Sequence, residues 1–366
     1  MAADKPHTPP AAGSDAHVFR SASDAFPIDT VRLGAYLARI GLPLDAAEPV
    51  RQFGTGMANI NYRLRAGGRM LVLRRPPDGD LPPGAHDMAR EHRILSRLWR
   101  ALPLAPESVH LCEDRSVIGV PFQLIEYRPG LVIKGDDKRH FEGRPDIAAR
   151  TGQMLVETLA AVHGVDADAV GLGDLGKPEG FIERTRKGWA GRAERLELRP
   201  ETAALAREVA GWLGGQGVGM RSPTLLHSDF KLDNLIVAPG TLKPVAIVDW
   251  DMGTRGDPLF DVATMLSYWA EASDPACMHD MKQLPTAAPG FPTRNEVVAE
   301  YARLTGRDVS DFPVLRVLAM FKLAVVLLQL YALWKRGAAK GDDYADMDRI
   351  ATELLVFAKD AAEGRG

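Results

Sequence analysis

An α+β architecture, a small sheet-rich lobe followed by a larger, mostly helical one, is the fold class this sequence predicts. Three observations carry the prediction. Roughly the first 125 residues are patterned mainly in steps of two, with one central helical segment. Long helical periodicities fill most of the remaining chain. A single strand-rich island, 224–249, interrupts them.

Taken in order, residues 1–25 are rich in Pro, Ala and polar groups and read as a disordered tail. Thr30 precedes VRLGAYLARI, where Val31, Leu33, Leu37 and Ile40 give helical spacing behind a Thr cap. VRQFGTGMANINYRL and GRMLVLRR then read as antiparallel strands joined around Gly67-Gly68. After the break PPDGDLPPG comes a helix over about 85–100, with Met88, Ile94, Leu95 and Leu98 on its apolar face. SVIGVPFQLIEYRPG reads as two more strands, and Pro129-Gly130 marks the end of the lobe. The lobes so predicted are 26–126 and 127–366. Helices are predicted at 147–163, 181–195, 201–213, 258–270, 295–305, 313–336 and 343–362, with neither an internal repeat nor a heptad run.

Composition narrows the function classes. The 366 residues correspond to about two domains. At 46% hydrophobic and 25% charged, the chain can bury a sizeable core. The 45 basic and 48 acidic residues leave a net charge of −3, without the basic excess that a nucleic-acid partner demands. Cys112 and Cys277 can build neither a disulfide scaffold nor a multi-cysteine zinc site, and they suit a reducing cytoplasm. The N-terminal stretch lacks the apolar core of a signal peptide. The apolar stretch Val317–Trp334 is broken by Lys322 and Gln329, so it reads as a buried helix, and no membrane partner is expected.

The island reads LLHSDFKLDNLIVAPGTLKPVAIVDWD. Its strands, Asn234–Val237 and Val245–Val248, are joined by a turn at Pro239-Gly240. Asp229 lies five residues before Asn234, and Asp249 closes the second strand. A hairpin sets Asn234 beside Asp249, with Asp229 a little further out. Hard oxygen ligands of this kind suit Mg²⁺, which takes its remaining ligands from water and phosphate. Each carboxylate alone would be an ordinary turn or cap. Their spacing on one hairpin is what points to chemistry.

HSDFKLDN followed by IVDWD resembles the catalytic and metal segment of the aminoglycoside phosphotransferase and choline kinase-like family, small-molecule kinases of protein-kinase-like bilobal fold. The resemblance covers about residues 48–335. It implies that Asp229 is the base that accepts the acceptor's hydroxyl proton, and that Asn234 and Asp249 are Mg²⁺ ligands. It further implies that His227 braces the loop and that Lys231 neutralises charge on the transferred phosphoryl. Asp251 resembles the second acid of the Asp-Trp-Asp variant, in a supporting role. Asp261 resembles the helix acid that hydrogen-bonds the loop backbone, and Asp257 is a natural N-cap before Pro258.

The first lobe carries further matches. FGTGMANINY occupies the place of a phosphate-covering loop, where Gly54 and Gly56 let backbone N–H groups approach phosphate, and Asn59 and Asn61 can add contacts. A β-bulge or hairpin turn is the alternative for the glycines. VLRR stands in place of Val-Ala-Ile-Lys, so Arg74 replaces the usual Lys and Glu91 is its expected partner. QLIEYRPG resembles the lobe-connecting hinge, implying that adenine pairs with the backbone of Glu126 and Arg128 beside Ile125. His163 reads as a packing or capping residue, and His86, His92, His110, His140 and His279 lack metal-ligand spacing.

The expected activity is ATP- and Mg²⁺-dependent phosphorylation of a small-molecule alcohol. No activation segment ending in Ala-Pro-Glu follows Asp249, which argues against a protein acceptor. VLRRPP and GLGDLGKPEGFIERTRKGW resemble the kinase-like domains associated with acyl-CoA dehydrogenases. That resemblance implies a hydroxyacid or hydroxyacyl-CoA acceptor and an association with fatty-acid oxidation enzymes. The alternatives are an aminoglycoside, served by Glu271, Asp274 and Asp280, a choline-, homoserine- or sugar-type alcohol, or a pseudokinase that binds nucleotide without turnover.

Overall fold

The computed structural model describes residues 19–21, 23–54, 59–77, 87–338, 341 and 344–365. The chain divides into two compact units. The first takes the described residues up to Ser96 together with Pro106–Tyr127, and the second takes Arg97–Ala105 and everything from Arg128.

The first unit is built on a five-stranded antiparallel sheet in the order β1-β2-β3-β5-β4. Its strands are β1 (Arg51–Gln52), β2 (Ile60–Ala66), β3 (Arg69–Arg75), β4 (Ser108–Cys112) and β5 (Phe122–Glu126). Strict alternation buries Tyr62 and Leu64 of β2 on one face, against Leu71 and Leu73 of β3 and Phe122 and Leu124 of β5. Helix α1 (Thr30–Arg39) adds Leu33 and Leu37 to that core. Its cap is Asp29, which accepts the Arg32 N–H, so Thr30 is the first helical residue rather than the cap. Helix α2 (Met88–Leu98), whose last two residues are counted with the second unit, buries Met88, Ile94, Leu95 and Leu98, the apolar face read from the sequence.

Two further expectations for this unit need correction. Phe19 bridges to Phe53 and stacks on its ring at 4.9 Å, so the chain is not structureless up to residue 25. The strand expected at Ser116–Val120 lies earlier, at Ser108–Cys112. Local turn chemistry overrides the alternation there: Asp114 accepts the Ser116 N–H, Arg115 O accepts the Gly119 N–H, and Gly119 has φ +89°.

The second unit is mainly helical: α3 (Pro145–His163), α4 (Phe181–Glu194), α5 (Pro200–Gly214), α6 (Pro258–Ser267), α7 (Ala276–Asp280), α8 (Arg294–Thr305), α9 (Phe312–Lys335) and α10 (Met347–Ala362). Helix α9 is long and apolar enough by composition to cross a membrane, yet its side chains from Leu315 to Leu328 are mostly buried against α6, α10 and α5. It is the central core helix of the unit. The island forms two short ribbons: β6 (Thr224–Leu226) with β9 (Thr254–Gly256), and β7 (Leu235–Val237) with β8 (Pro244–Ile247). Neither β9 nor α7 is predicted from the sequence, because each is too short to show a period.

Candidate active site

The site in the second unit begins where β6 ends. Ser228 has φ +70° and Asp249 has φ +68°, the left-handed region that side chains other than glycine seldom adopt. Strain of this kind persists only where the surroundings hold it. Around Ser228 the hold is plain. Asp261, on the first turn of α6, accepts the His227 N–H on Oδ2 and the Ser228 N–H on Oδ1, both at 2.8 Å. Asp257 caps that helix through the Leu259 N–H and pairs with Arg221 at 2.9 Å.

Asp261 is itself fully buried and takes a third hydrogen bond, 3.3 Å from His163 Nε2. Burial disfavours its charge, but the hydrogen bonds from His163 and the His227 N–H, with the electrostatic attraction of these two residues, outweigh this and hold the carboxyl below its ordinary range. With Nε2 donating to Asp261, His163 Nδ1 accepts the Tyr301 O–H at 2.7 Å. His163, expected to pack or cap, is thus a buried link from α8 to the loop acid.

His227 braces the loop from the other side. Its Nε2 faces the Val248 carbonyl at 2.9 Å, so Nε2 carries the proton and Nδ1 accepts the Asp229 N–H at 3.4 Å. Trp250 packs on the imidazole at 4.7 Å and donates its own N–H to Ile247 O.

Asp229 is surrounded by donors. Asn234 Nδ2 lies 2.8 Å from its main-chain oxygen and 3.1 Å from Oδ2. Lys231 Nζ lies 3.2 Å from Oδ2, and the Tyr268 hydroxyl donates to Oδ1 at 3.4 Å. The Lys231 ammonium also sits 4.7 Å over the Tyr268 ring. Burial works against that ammonium, but Tyr268, Asp229 and Asp233 together outweigh it and raise its proton affinity.

Asn234 and Asp249 flank the hairpin as expected. The Val248 N–H donates to Asn234 O, one residue beyond the Leu235–Ile247 register pair, so Asp249 is the next residue along. Asn234 Nδ2 makes both contacts to Asp229, which leaves its Oδ1 as the atom that could ligate a metal. An amide oxygen and a carboxylate form a hard donor set suited to Mg²⁺ completed by phosphate and water. Among the described residues no cluster of three His, Cys, Asp or Glu stands at metal-binding spacing. Asp251 lies in the following turn, closed by the Gly253 N–H to Trp250 O.

In the first unit, Arg74 Nε lies 2.7 Å from Glu91 Oε2, and both side chains are buried. Glu91 also accepts from Gln123 Nε2; Gln123 Oε1 accepts from Ser108 Oγ, and Ser108 meets His92 Nδ1 at 2.8 Å. The sequence signals the ion pair but not the chain behind it. Arg75 is also buried, with Nε donating to Pro76 O. Asn61 lies opposite Arg74 in the β2–β3 register, and its buried Oδ1 has no hydrogen-bond partner among the described residues. Asn59 is likewise buried. Gly54 follows Phe53 at the end of the β1 ribbon, whereas Gly56 and His86 lie outside the described residues. In the expected hinge, the Glu126 N–H donates to Glu107 O and the Tyr127 N–H to Met70 O. Glu126 closes the first unit's last strand, and Arg128 opens the second unit's longer segment.

Tyr268, Asp233 and Lys322 also belong to this neighbourhood, and sequence reasoning assigns none of them a role in it. Only Lys322 leaves a signal, as the one charge inside the apolar run of α9.

A loop acid fixed by an amide, an ammonium and a braced histidine, at the head of a hairpin that ends in a second carboxylate, defines a phosphotransferase of the kinase-like fold. Residues 49–292 match the model of the phosphotransferase enzyme family, and the chain belongs to that family of small-molecule kinases. It is 32% identical over 317 residues to mouse acyl-CoA dehydrogenase family member 10, covering 86% of this chain and 29% of that protein. It is 29% identical over 336 residues to chicken acyl-CoA dehydrogenase family member 11, covering 89% of this chain and 42% of that one. The chain thus spans less than half the length of these relatives. A crystal structure of an aminoglycoside phosphotransferase-type protein from Ralstonia eutropha superposes with a TM-score of 0.76 at 25% identity, covering 92% of this chain and 99% of the other.

Proposed function

We propose that this chain transfers the γ-phosphoryl group of ATP, with Mg²⁺, to the hydroxyl of a hydroxyacid or hydroxyacyl-CoA. The observation that carries the reading is the Asp229 carboxylate, held by Asn234, Lys231 and Tyr268 on a loop that Asp261 and His227 fix in a strained turn. Asp229 aligns the acceptor hydroxyl and takes its proton as oxygen bonds to the γ-phosphorus and the bond to the β–γ bridging oxygen breaks, releasing ADP. Lys231 keeps its proton and offers positive charge beside the transferring group. Arg74, held by Glu91, offers a guanidinium fork suited to phosphate oxygens. Bound at Asn234 and Asp249, Mg²⁺ supplies charge neutralisation at the phosphates. Most of the rate enhancement is positioning and charge placement, since phosphoryl transfer asks little covalent work of the protein.

The acceptor class is supported by the similarity to acyl-CoA dehydrogenase family members and by the VLRRPP wording. The acids that would have served an aminoglycoside are engaged elsewhere. Asp274 and Glu271 accept from Arg294, at 2.7 Å and 2.6 Å, and Asp280 pairs with Arg349 at 2.9 Å. An association with fatty-acid oxidation enzymes is part of the same proposal. The test is transfer from γ-labelled ATP to a panel of hydroxyacids, hydroxyacyl-CoAs, aminoglycosides and amino alcohols. Label on a hydroxyacid or hydroxyacyl-CoA, lost in Asp229→Asn, supports the reading. Label confined to aminoglycosides or amino alcohols overturns the acceptor, and nucleotide binding without transfer to any compound overturns the enzyme.

A further inference from the structure

We propose that Lys322 is a positioning residue for phosphoryl transfer: its ammonium, reaching from α9, holds the carbonyl of Ser228 and with it the left-handed turn that presents Asp229. This rests on the reading of Asp229 given above. Lys322 Nζ lies 3.2 Å from Ser228 O, while Asp261 Oδ1 takes the Ser228 N–H at 2.8 Å. The two polar backbone groups of one strained residue are therefore each held by a charged side chain, one from α9 and one from α6. The ammonium also sits 5.6 Å from the centroid of the Phe260 ring.

The cost of the arrangement argues for its use. Lys322 is the only charge between Val317 and Leu328, in a helix whose neighbours are core side chains. An aliphatic side chain would fit that place without desolvating an ion. Burial lowers the lysine's proton affinity, and Lys231 lowers it further, while Asp229 and Asp261 favour the charge. The gain that offsets this burial is the hydrogen bond to Ser228, since a serine does not stay in the left-handed region unaided.

The experiment uses the full chain with Mg·ATP and water as the acceptor, following ADP release, together with hydrogen–deuterium exchange of the peptide covering 225–232. The variants are K322M, K322R, S228G, the S228G/K322M double variant and D229N. K322M is expected to lower kcat by about tenfold or more with KM for ATP nearly unchanged, and to speed exchange in 225–232 but not across β7 and β8. K322R should recover most of both. Glycine adopts the left-handed region freely, so in the S228G background the K322M loss should shrink to about threefold or less. Equal losses in the wild-type and S228G backgrounds, or unchanged exchange in 225–232, would overturn the proposal. If turnover with water is too slow to follow, the exchange comparison alone decides. Turnover retained by D229N would sink the reading of Asp229 instead, and the exchange data would still report on Lys322.

Discussion

Asp261 holds the N–H of Ser228 at 2.8 Å with one carboxylate oxygen while the other holds the N–H of His227 at the same distance. A fully buried carboxylate is thereby spent on two backbone donors, with His163 as a third. Asp261→Asn would turn amide protons toward an N–H and leave a donor unpaired. Breaking such a buried charged network costs about 3–5 kcal/mol. Urea unfolding should show that loss, and phosphoryl transfer should fall further than the unfolded fraction explains, because the turn at Ser228 loses its amide-side restraint. A variant of unchanged stability and activity would show that the turn holds without Asp261.

The hairpin and its acids are legible in the sequence because the turn residues Pro239-Gly240, the short apolar strands and the Asp229–Asn234 spacing all point to one local arrangement. The α+β class is legible for a similar reason: β2 alternates cleanly, and α10 carries one apolar stripe. What resists reading is whatever depends on distant segments meeting. His163 and Asp261 are 98 residues apart, and Lys322 and Ser228 are 94 apart. Neither pair has a local period to announce it. At Ser116–Val120 the alternation is present, but an Asx turn and a glycine decide the conformation. Lys322 shows the limit most clearly. In the sequence it is a flaw in an apolar helix, and only the loop brought beside that helix gives it a partner.

Asp229→Asn should lower phosphoryl transfer at least ~10²-fold, the lower end of general-base contributions. The amide keeps the side-chain volume but cannot take the acceptor's proton, and it sets an NH₂ group among the donors of Asn234, Lys231 and Tyr268. Nucleotide affinity, measured by calorimetry with a non-hydrolysable ATP analogue, should change little. Transfer at the wild-type rate would remove Asp229 from the chemistry.

Arg74 tests the departure from lysine. Its guanidinium meets Glu91, which Gln123 also holds, so the pair is part of a buried polar chain reaching His92. Glu91→Ala leaves a buried guanidinium without its carboxylate and should cost about 3–5 kcal/mol in urea unfolding. Arg74→Lys keeps the charge but loses the planar fork. It should raise KM for ATP with a smaller loss of stability than Glu91→Ala. A lysine variant that binds ATP as well as the wild type would mean that only charge is required at this strand position.

Asp233 gives the pH dependence its sign. Burial, with the nearby Asp229 charge adding to it, raises its pKa from 3.8 to about 6 against the pull of Lys231 and Lys134. Its Oδ1 is buried and has no hydrogen-bond partner among the described residues. The folded state therefore holds this proton more tightly than the unfolded chain does. Between pH about 4 and 6 the folded form alone stays protonated, so stability contributed by this group falls as pH rises through that window and is lost above it. At 1.36 kcal/mol per pH unit the penalty near neutrality has an upper bound of about 3 kcal/mol. Asp233→Asn removes the ionisation and keeps the shape. Its thermal midpoint should exceed that of the wild type at pH about 7.5, and the difference should shrink toward pH about 4, where the wild-type carboxyl is protonated in the folded state. A difference that stays constant across this range, or one that grows on acidification, would show that Asp233 is ionised in the folded protein and that Lys231 outweighs its burial.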